Sequence, residues 1–205
     1  MASLPALFLA TENKGKLREL EHILSALPLR LETPLTRQLS LNVAETGSSY
    51  AENAALKALA FARATGLPAL ADDSGLEVDA LDGAPGLYSA RFSPKPGAKD
   101  ADRRAYLLEK LAGLPRPWKA HFHCTIAIAT PTEQVFYAEG NCFGEIIPEE
   151  RGEHGFGYDP VFYMEEYQAT MAELAPDLKN QISHRARAAQ ASLPLLRGLF
   201  HLSEV

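Results

Sequence analysis

Apolar and polar positions along the chain follow two periods. Leu7–Ala10 is a short apolar run ending at Thr11-Glu12-Asn13, after which Leu17, Leu20, Ile23, Leu24 and Leu27 recur at helical spacing. This predicts a strand, a loop and a helix. Ser49–Thr65 carries Ala51, Ala54, Ala55, Ala58, Leu59 and Ala62 on one face and predicts a helix ended by Gly66-Leu67-Pro68. Ala69-Leu70-Ala71 predicts a short buried strand running into Asp72-Asp73-Ser74-Gly75, and Asp102–Leu111 a further helix. The period then drops to two. Ala120, Phe122, Cys124, Ile126 and Ile128 alternate with His121, His123, Thr125, Ala127 and Ala129, and Val135–Glu139 and Asn141–Ile147 continue in that style. These segments predict long antiparallel strands joined by a hairpin. Ser183 suits the N-cap of a last helix reaching about Phe200, with a kink or break at Pro194. Helices at both ends around a strand-rich centre predict an α/β protein with a mixed sheet.

The 205 residues match one domain spanning 1–205, with room for two lobes around a cleft. Charge narrows the partners: 20 Lys+Arg against 26 Asp+Glu leave a formal charge of −6. That argues against a nucleic acid polymer but leaves room for a small anion in a local basic pocket. Cys124 and Cys142 lie in strand-like runs without a CxxC partner, so a reducing cytoplasm is the simpler expectation. No stretch approaches the ~18 apolar residues of a membrane span. The opening MASLPALFLATENKGK has no basic residue before its apolar run and reads as a first strand, not a signal peptide.

Several segments could carry chemistry. Thr11-Glu12-Asn13-Lys14-Gly15-Lys16 lies where a strand gives way to a helix, where backbone N–H groups and the helix dipole suit a phosphate and Lys16 adds charge. The plain alternative is an Asn or Thr helix cap followed by solvated lysines. Asp72-Asp73, with Glu45, offers oxygen ligands suited to Mg²⁺, because adjacent carboxylates at a buried strand end need a cation or hydrogen bonds. The alternative is a turn. If the strand continues, Asp72 and Asp73 point to opposite sides. Gly155-Phe156-Gly157-Tyr158-Asp159-Pro160 could stack a planar base on Phe156 and accept its N–H groups at Asp159, or form only a tight turn. Ser183-His184-Arg185 could read a carbonyl oxygen, since Arg185 only donates, or be a capped helix start with surface cations. His121 and His123 have the spacing of a zinc pair but lack a third ligand pattern, and read as one face of a strand.

Together, and in this order, these segments resemble the inosine triphosphate pyrophosphatase family. The resemblance runs from Phe8 to about Ala189 and includes Glu45-Thr46-Gly47 with Glu52-Asn53-Ala54, and Gly83-Ala84-Pro85-Gly86 with Ser89-Ala90-Arg91. It implies an elongated, twisted mixed sheet with flanking helices, a Mg²⁺ requirement, a homodimer, and hydrolysis of non-standard purine nucleoside triphosphates between the α and β phosphates. By similarity Asp73 matches the proton acceptor and a magnesium-site acid, joined by Asp72 and Glu45. Thr11, Glu12, Asn13, Lys14, Gly15 and Lys16 match a phosphate loop, with Lys57 beside it. Ser74, Phe156, Gly157, Tyr158, Asp159, Lys179, His184 and Arg185 match substrate contacts. Many relatives carry an acidic pair before the Thr-Gly where this chain has Ala44-Glu45. On this reading Arg185 and His184 donate to the purine 6-oxo group, which an adenine amino group cannot accept. The rival expectations are a pyrophosphatase of the septum-inhibitor type and a nucleotide sensor that does not cleave.

Overall fold

A computed structural model describes residues 4–203; residues 1–3 of the predicted opening strand segment lie outside the described residues. The strands are β1 (Ala6–Leu9), β2 (Arg30–Glu32), β3 (Ala69–Val78), β4 (Trp118–Ala129), β5 (Val135–Ile146), β6 (Phe162–Met164) and β7 (Ala169–Thr170). They form one sheet in the order β2-β1-β3-β4-β5-β6-β7. β1 pairs in parallel with β2 and β3, whereas β5–β6 and β6–β7 pair antiparallel. The helices are α1 (Lys14–Leu24), α2 (Pro34–Arg37), α3 (Tyr50–Thr65), α4 (Asp100–Leu111), α5 (Pro176–Ile182) and α6 (His184–Phe200). The fold is therefore mixed α/β, as the periodicities predict.

The chain divides into two compact units. The first takes Met1–Asp73, Cys124–Gly140 and Arg185–Val205; the second takes Ser74–His123 and Asn141–His184. β3, β4 and β5 supply residues to both. In the first unit, alternation along β1 sorts two cores. Leu7 and Leu9 pack with Leu20 and Leu24 of α1 and Ala188, Ala189 and Leu196 of α6. Phe8 turns the other way, onto Ala54, Ala58, Phe61 and Ala62 of α3, and stacks on Phe61 with centroids 5.2 Å apart. The alanine face of α3 lets that helix lie close to the sheet. The second unit has its own core, in which Leu107 and Leu111 of α4 meet Trp118, Ala120, Phe122, Cys142, Ile146 and Phe162.

Three local expectations change. The Asp72-Asp73-Ser74-Gly75 segment is not a turn: β3 runs through it to Val78, nearly all of it buried. Burial on both faces favours extension, and turn-forming residue types yield to it. α6 continues through Pro194 without ending. The Val135–Glu139 and Asn141–Ile147 segments form the single strand β5, adjacent to β4. Thr130 N–H donates to Gln134 O (2.9 Å) at the connecting turn.

Candidate active site

The first unit gathers a buried cluster of charge around the end of its β3 segment. Asn13 caps α1, its side-chain oxygen accepting from Gly15 N–H (2.9 Å) and Lys16 N–H (3.2 Å), while Thr11 Oγ1 accepts from Asn13 N–H. The asparagine cap of the alternative reading is present, and its side chain takes up two of the backbone donors at the helix start. Glu12 accepts from Ser40 (3.0 Å), and Lys14 is exposed. The first turn of α1 brings Lys16 Nζ to 3.0 Å from Asp72 Oδ2.

Asp72 also receives Arg185 Nε at 3.0 Å, and Arg185 Nη1 donates to Glu19 at 2.6 Å. Arg185 is fully buried, so two of its nitrogens spend their donors on carboxylates from β3 and α1. Burial alone would push the Asp72 carboxyl up, but Lys16, Arg185 and Lys57 outweigh it and hold the group well below the usual aspartate range. This stabilises the fold above the ordinary aspartate pKa of ~3.9 and is lost as pH falls below it. The remaining Asp72 oxygen, Oδ1, is buried and accepts no hydrogen bond.

Asp73 behaves oppositely. Asn53 Nδ2 donates to its Oδ2 (3.1 Å), and Lys57 Nζ lies 3.8 Å from its Oδ1 and 2.8 Å from Glu45 Oε1. Burial nevertheless dominates and, helped by the charge of Glu45, raises its pKa over the pull of Lys57 and Lys16. A carboxylate that holds its proton more tightly than usual is also a stronger base. Asn53 was part of the sequence motif without a role. Its own oxygen accepts from Gly47 N–H (2.8 Å), so one amide ties the Thr46-Gly47 loop to Asp73. A side chain at Gly47 would strike Glu52 Cβ at 2.6 Å and Asn53 Oδ1 at 2.8 Å, which explains the glycine. Asn53→Ala is expected to cost ~1–3 kcal/mol in urea unfolding, because it strips a donor from a buried carboxylate and an acceptor from an amide.

The cluster can be tested for a cation by its charge. Lys16, Lys57 and Arg185 stand against Asp72, Asp73, Glu45 and Glu19, leaving one excess negative charge with Asp72 Oδ1 unsatisfied. No group of three His, Cys, Asp or Glu side chains among the described residues has metal-holding geometry by itself. Mg²⁺ commonly uses only one or two carboxylates and completes its shell with water and phosphate oxygen, so this donor set fits it.

The second unit gathers the aromatic-glycine loop. Asp159 Oδ2 accepts from Phe156 N–H (2.8 Å) and from Lys179 Nζ (2.7 Å), a buried ion pair. Lys179 also sits 4.8 Å from the centroid of the Phe156 ring. Gly155 has φ +76, and a Cβ there would lie 2.0 Å from Asp159 Oδ2, so the approach needs glycine. The Tyr158 hydroxyl is turned inward and donates to Ser89 O (2.8 Å), anchoring the loop. Ser89 itself accepts from Leu76 N–H and donates to Gly86 O, an anchoring role the sequence did not announce. His184 is buried and stacks on Phe122, with centroids 4.7 Å apart. Ser74 is half-buried on β3. His121 lies 3.3 Å from Glu77, and His123 pairs with Asn141 (2.8 Å), in keeping with strand-face roles.

The structure thus groups Arg185 with Asp72 and Glu19 in the first unit, and Phe156, Asp159 and Lys179 in the second. The model of the Ham1 family matches residues 7–194. This chain belongs to the Ham1 family. It is 48% identical over 200 residues to the dITP/XTP pyrophosphatase of Desulforamulus reducens, covering 97% of this chain and 99% of that protein. The Geobacillus kaustophilus dITP/XTP pyrophosphatase is 49% identical over 181 residues, 88% of each chain. Among solved structures, a HAM1 protein from Coxiella burnetii superposes with a TM-score of 0.86 at 41% identity, covering 95% of this chain and all of that one. Among the described residues, no helix of this Ham1 protein is long and apolar enough to cross a membrane.

Proposed function

We propose that this Ham1 protein is a dITP/XTP pyrophosphatase, splitting non-standard purine nucleoside triphosphates into nucleoside monophosphate and pyrophosphate. The reading is supported by the names of its relatives and, within the molecule, above all by Asp73: buried, oriented by Asn53 and raised in pKa. In this reading Lys16 and Lys57 meet the triphosphate. Glu45 and Asp73 would hold Mg²⁺, with water and phosphate oxygen completing its shell. When bound, the ion would neutralise phosphate oxygens and ease deprotonation of water. Asp73 takes the proton from the attacking water, and Asn53 keeps the carboxylate aimed. Asp72 holds Lys16 and Arg185 in place and stays ionised throughout.

Phe156 supplies a stacking face and Asp159 an acceptor for base N–H groups, with Lys179 balancing its charge. His184 and Arg185 donate to the 6-oxo group. Nε and Nη1 of Arg185 donate to Asp72 and Glu19, so the guanidinium plane is fixed before substrate arrives. Such preorganisation reduces the ordering cost of binding. Space or donors near the 2-position are assigned the rejection of GTP. By resemblance the enzyme is a cytoplasmic homodimer.

A nucleotide panel with Mg²⁺ tests this reading. Turnover of dITP, ITP and XTP is expected to exceed that of dATP by ~10⁴ in kcat/KM, and a chelator should abolish it. Preference for pyrimidine triphosphates would favour the septum-inhibitor type, and binding without turnover a sensor.

A further inference from the structure

α4 reaches the aromatic-glycine loop with two side chains one helical turn apart. Asp100 Oδ2 accepts from Gly157 N–H at 2.8 Å, and Arg104 Nη1 donates to Gly157 O at 2.9 Å. The same residue of the loop is therefore held by both its N–H and its C=O. Arg104 Nη2 donates to Glu150 Oε2 (2.8 Å), fastening a second point upstream in the same loop. Arg104 is largely buried while doing so, whereas the Asp100 side chain is 40% exposed and also receives Arg103.

We propose that Asp100 and Arg104 are positioning residues for base binding, clamping the Gly157 peptide so that Phe156 and Asp159 present a preformed surface to the purine. The proposal rests on the reading that this loop takes the base. Gly155 and Gly157 both have positive φ, +76 and +62, and glycines leave a free loop many conformers. Asp159 ties its side of the loop to α5 through Lys179 and its carbonyl oxygen accepts from Ala172 N–H (3.3 Å), while its Oδ2 accepts from Phe156 N–H. Tyr158 fixes one end through Ser89. The α4 pair fixes the peptide between Phe156 and Tyr158. Burial pushes the Asp100 carboxyl up, but the Gly157 N–H and Arg103 outweigh it and hold it below the usual range, so it accepts as a carboxylate at neutral pH.

Loss of the clamp should therefore act on binding of the base and spare both the chemistry and the phosphate end. Arg104→Ala and Asp100→Ala are assayed with Mg²⁺ and dITP, using inorganic tripolyphosphate as a competitive inhibitor. The KM for dITP should rise about tenfold in either variant while kcat changes less than about threefold. The inhibition constant of tripolyphosphate should stay within about twofold of wild type. Asp100→Asn keeps an acceptor oxygen for Gly157 N–H and should recover most of the loss. Since Asp100 is half exposed, its variants test the proposal even if Arg104→Ala fails to fold. An unchanged KM would overturn the proposal. So would a tripolyphosphate constant that moves in step with KM, because that marks a general structural effect. Phe156→Ala in the same assay separates the two levels. If it leaves dITP turnover intact, the loop is not the base site and the underlying reading falls; if it loses dITP turnover while the α4 variants do not, only the clamp is wrong.

Discussion

Asp73→Asn is expected to lower kcat for dITP by roughly 10² or more while the protein stays folded. The amide is nearly isosteric and can still accept from Asn53, whose Nδ2 lies 3.1 Å from the carboxylate. What disappears is the negative charge that, with Glu45, faces Lys57, and the basicity that takes the proton from water. The stability effect has the opposite sign. Burial raises the Asp73 pKa in the fold, so its ionised form costs stability at every pH above that raised value, a cost relieved as the pH falls through it. A neutral amide removes that cost. In metal-free buffer at pH 7 the variant should melt no lower than wild type. Near-normal kcat in Asp73→Asn would remove Asp73 from its assigned role.

Arg185→Ala should have the second largest effect, and on two quantities. Its removal leaves Asp72 and Glu19 buried without the cation between them, a change that typically costs ~3–5 kcal/mol. Arg185→Lys retains a positive charge and should recover part of it. The catalytic effect separates the roles of Arg185. If the guanidinium donates to the 6-oxo group, kcat/KM for dITP falls at least about tenfold while that for dATP changes little, and the ratio collapses toward one. If Arg185 serves only Asp72, both substrates fall by the same factor. An unchanged dITP/dATP ratio therefore rejects base reading by this residue.

Much of this was legible in the chain because local chemistry and global fold agree. The helical spacing of Leu17, Leu20 and Leu24 and the alanine face of α3 lie in the two cores that sandwich β1. The alternation from Ala120 to Ile128 is β4. What remained illegible depends on partners distant in sequence. Asp-Asp-Ser-Gly has turn chemistry, and only burial of β3 on both faces keeps it extended. Asn13 has the same residue type whether it binds phosphate or caps α1, and the cap takes the N–H groups of Gly15 and Lys16. Arg185 lies 113 positions from Asp72 and 166 from Glu19, so no local pattern could pair them. Asn53, Ser89, Asp100 and Arg104 act by hydrogen bonds to backbone or to a carboxylate, a role with no sequence signature beyond being polar and buried or half-buried.

The central claim is that water activated at Asp73 attacks the α-phosphorus and expels pyrophosphate. Hydrolysis of dITP in ¹⁸O-labelled water with Mg²⁺, followed by mass analysis of both products, tests it most directly. One labelled oxygen is expected in the nucleoside monophosphate, with the pyrophosphate unlabelled. Label in the pyrophosphate, or release of orthophosphate in its place, would contradict it.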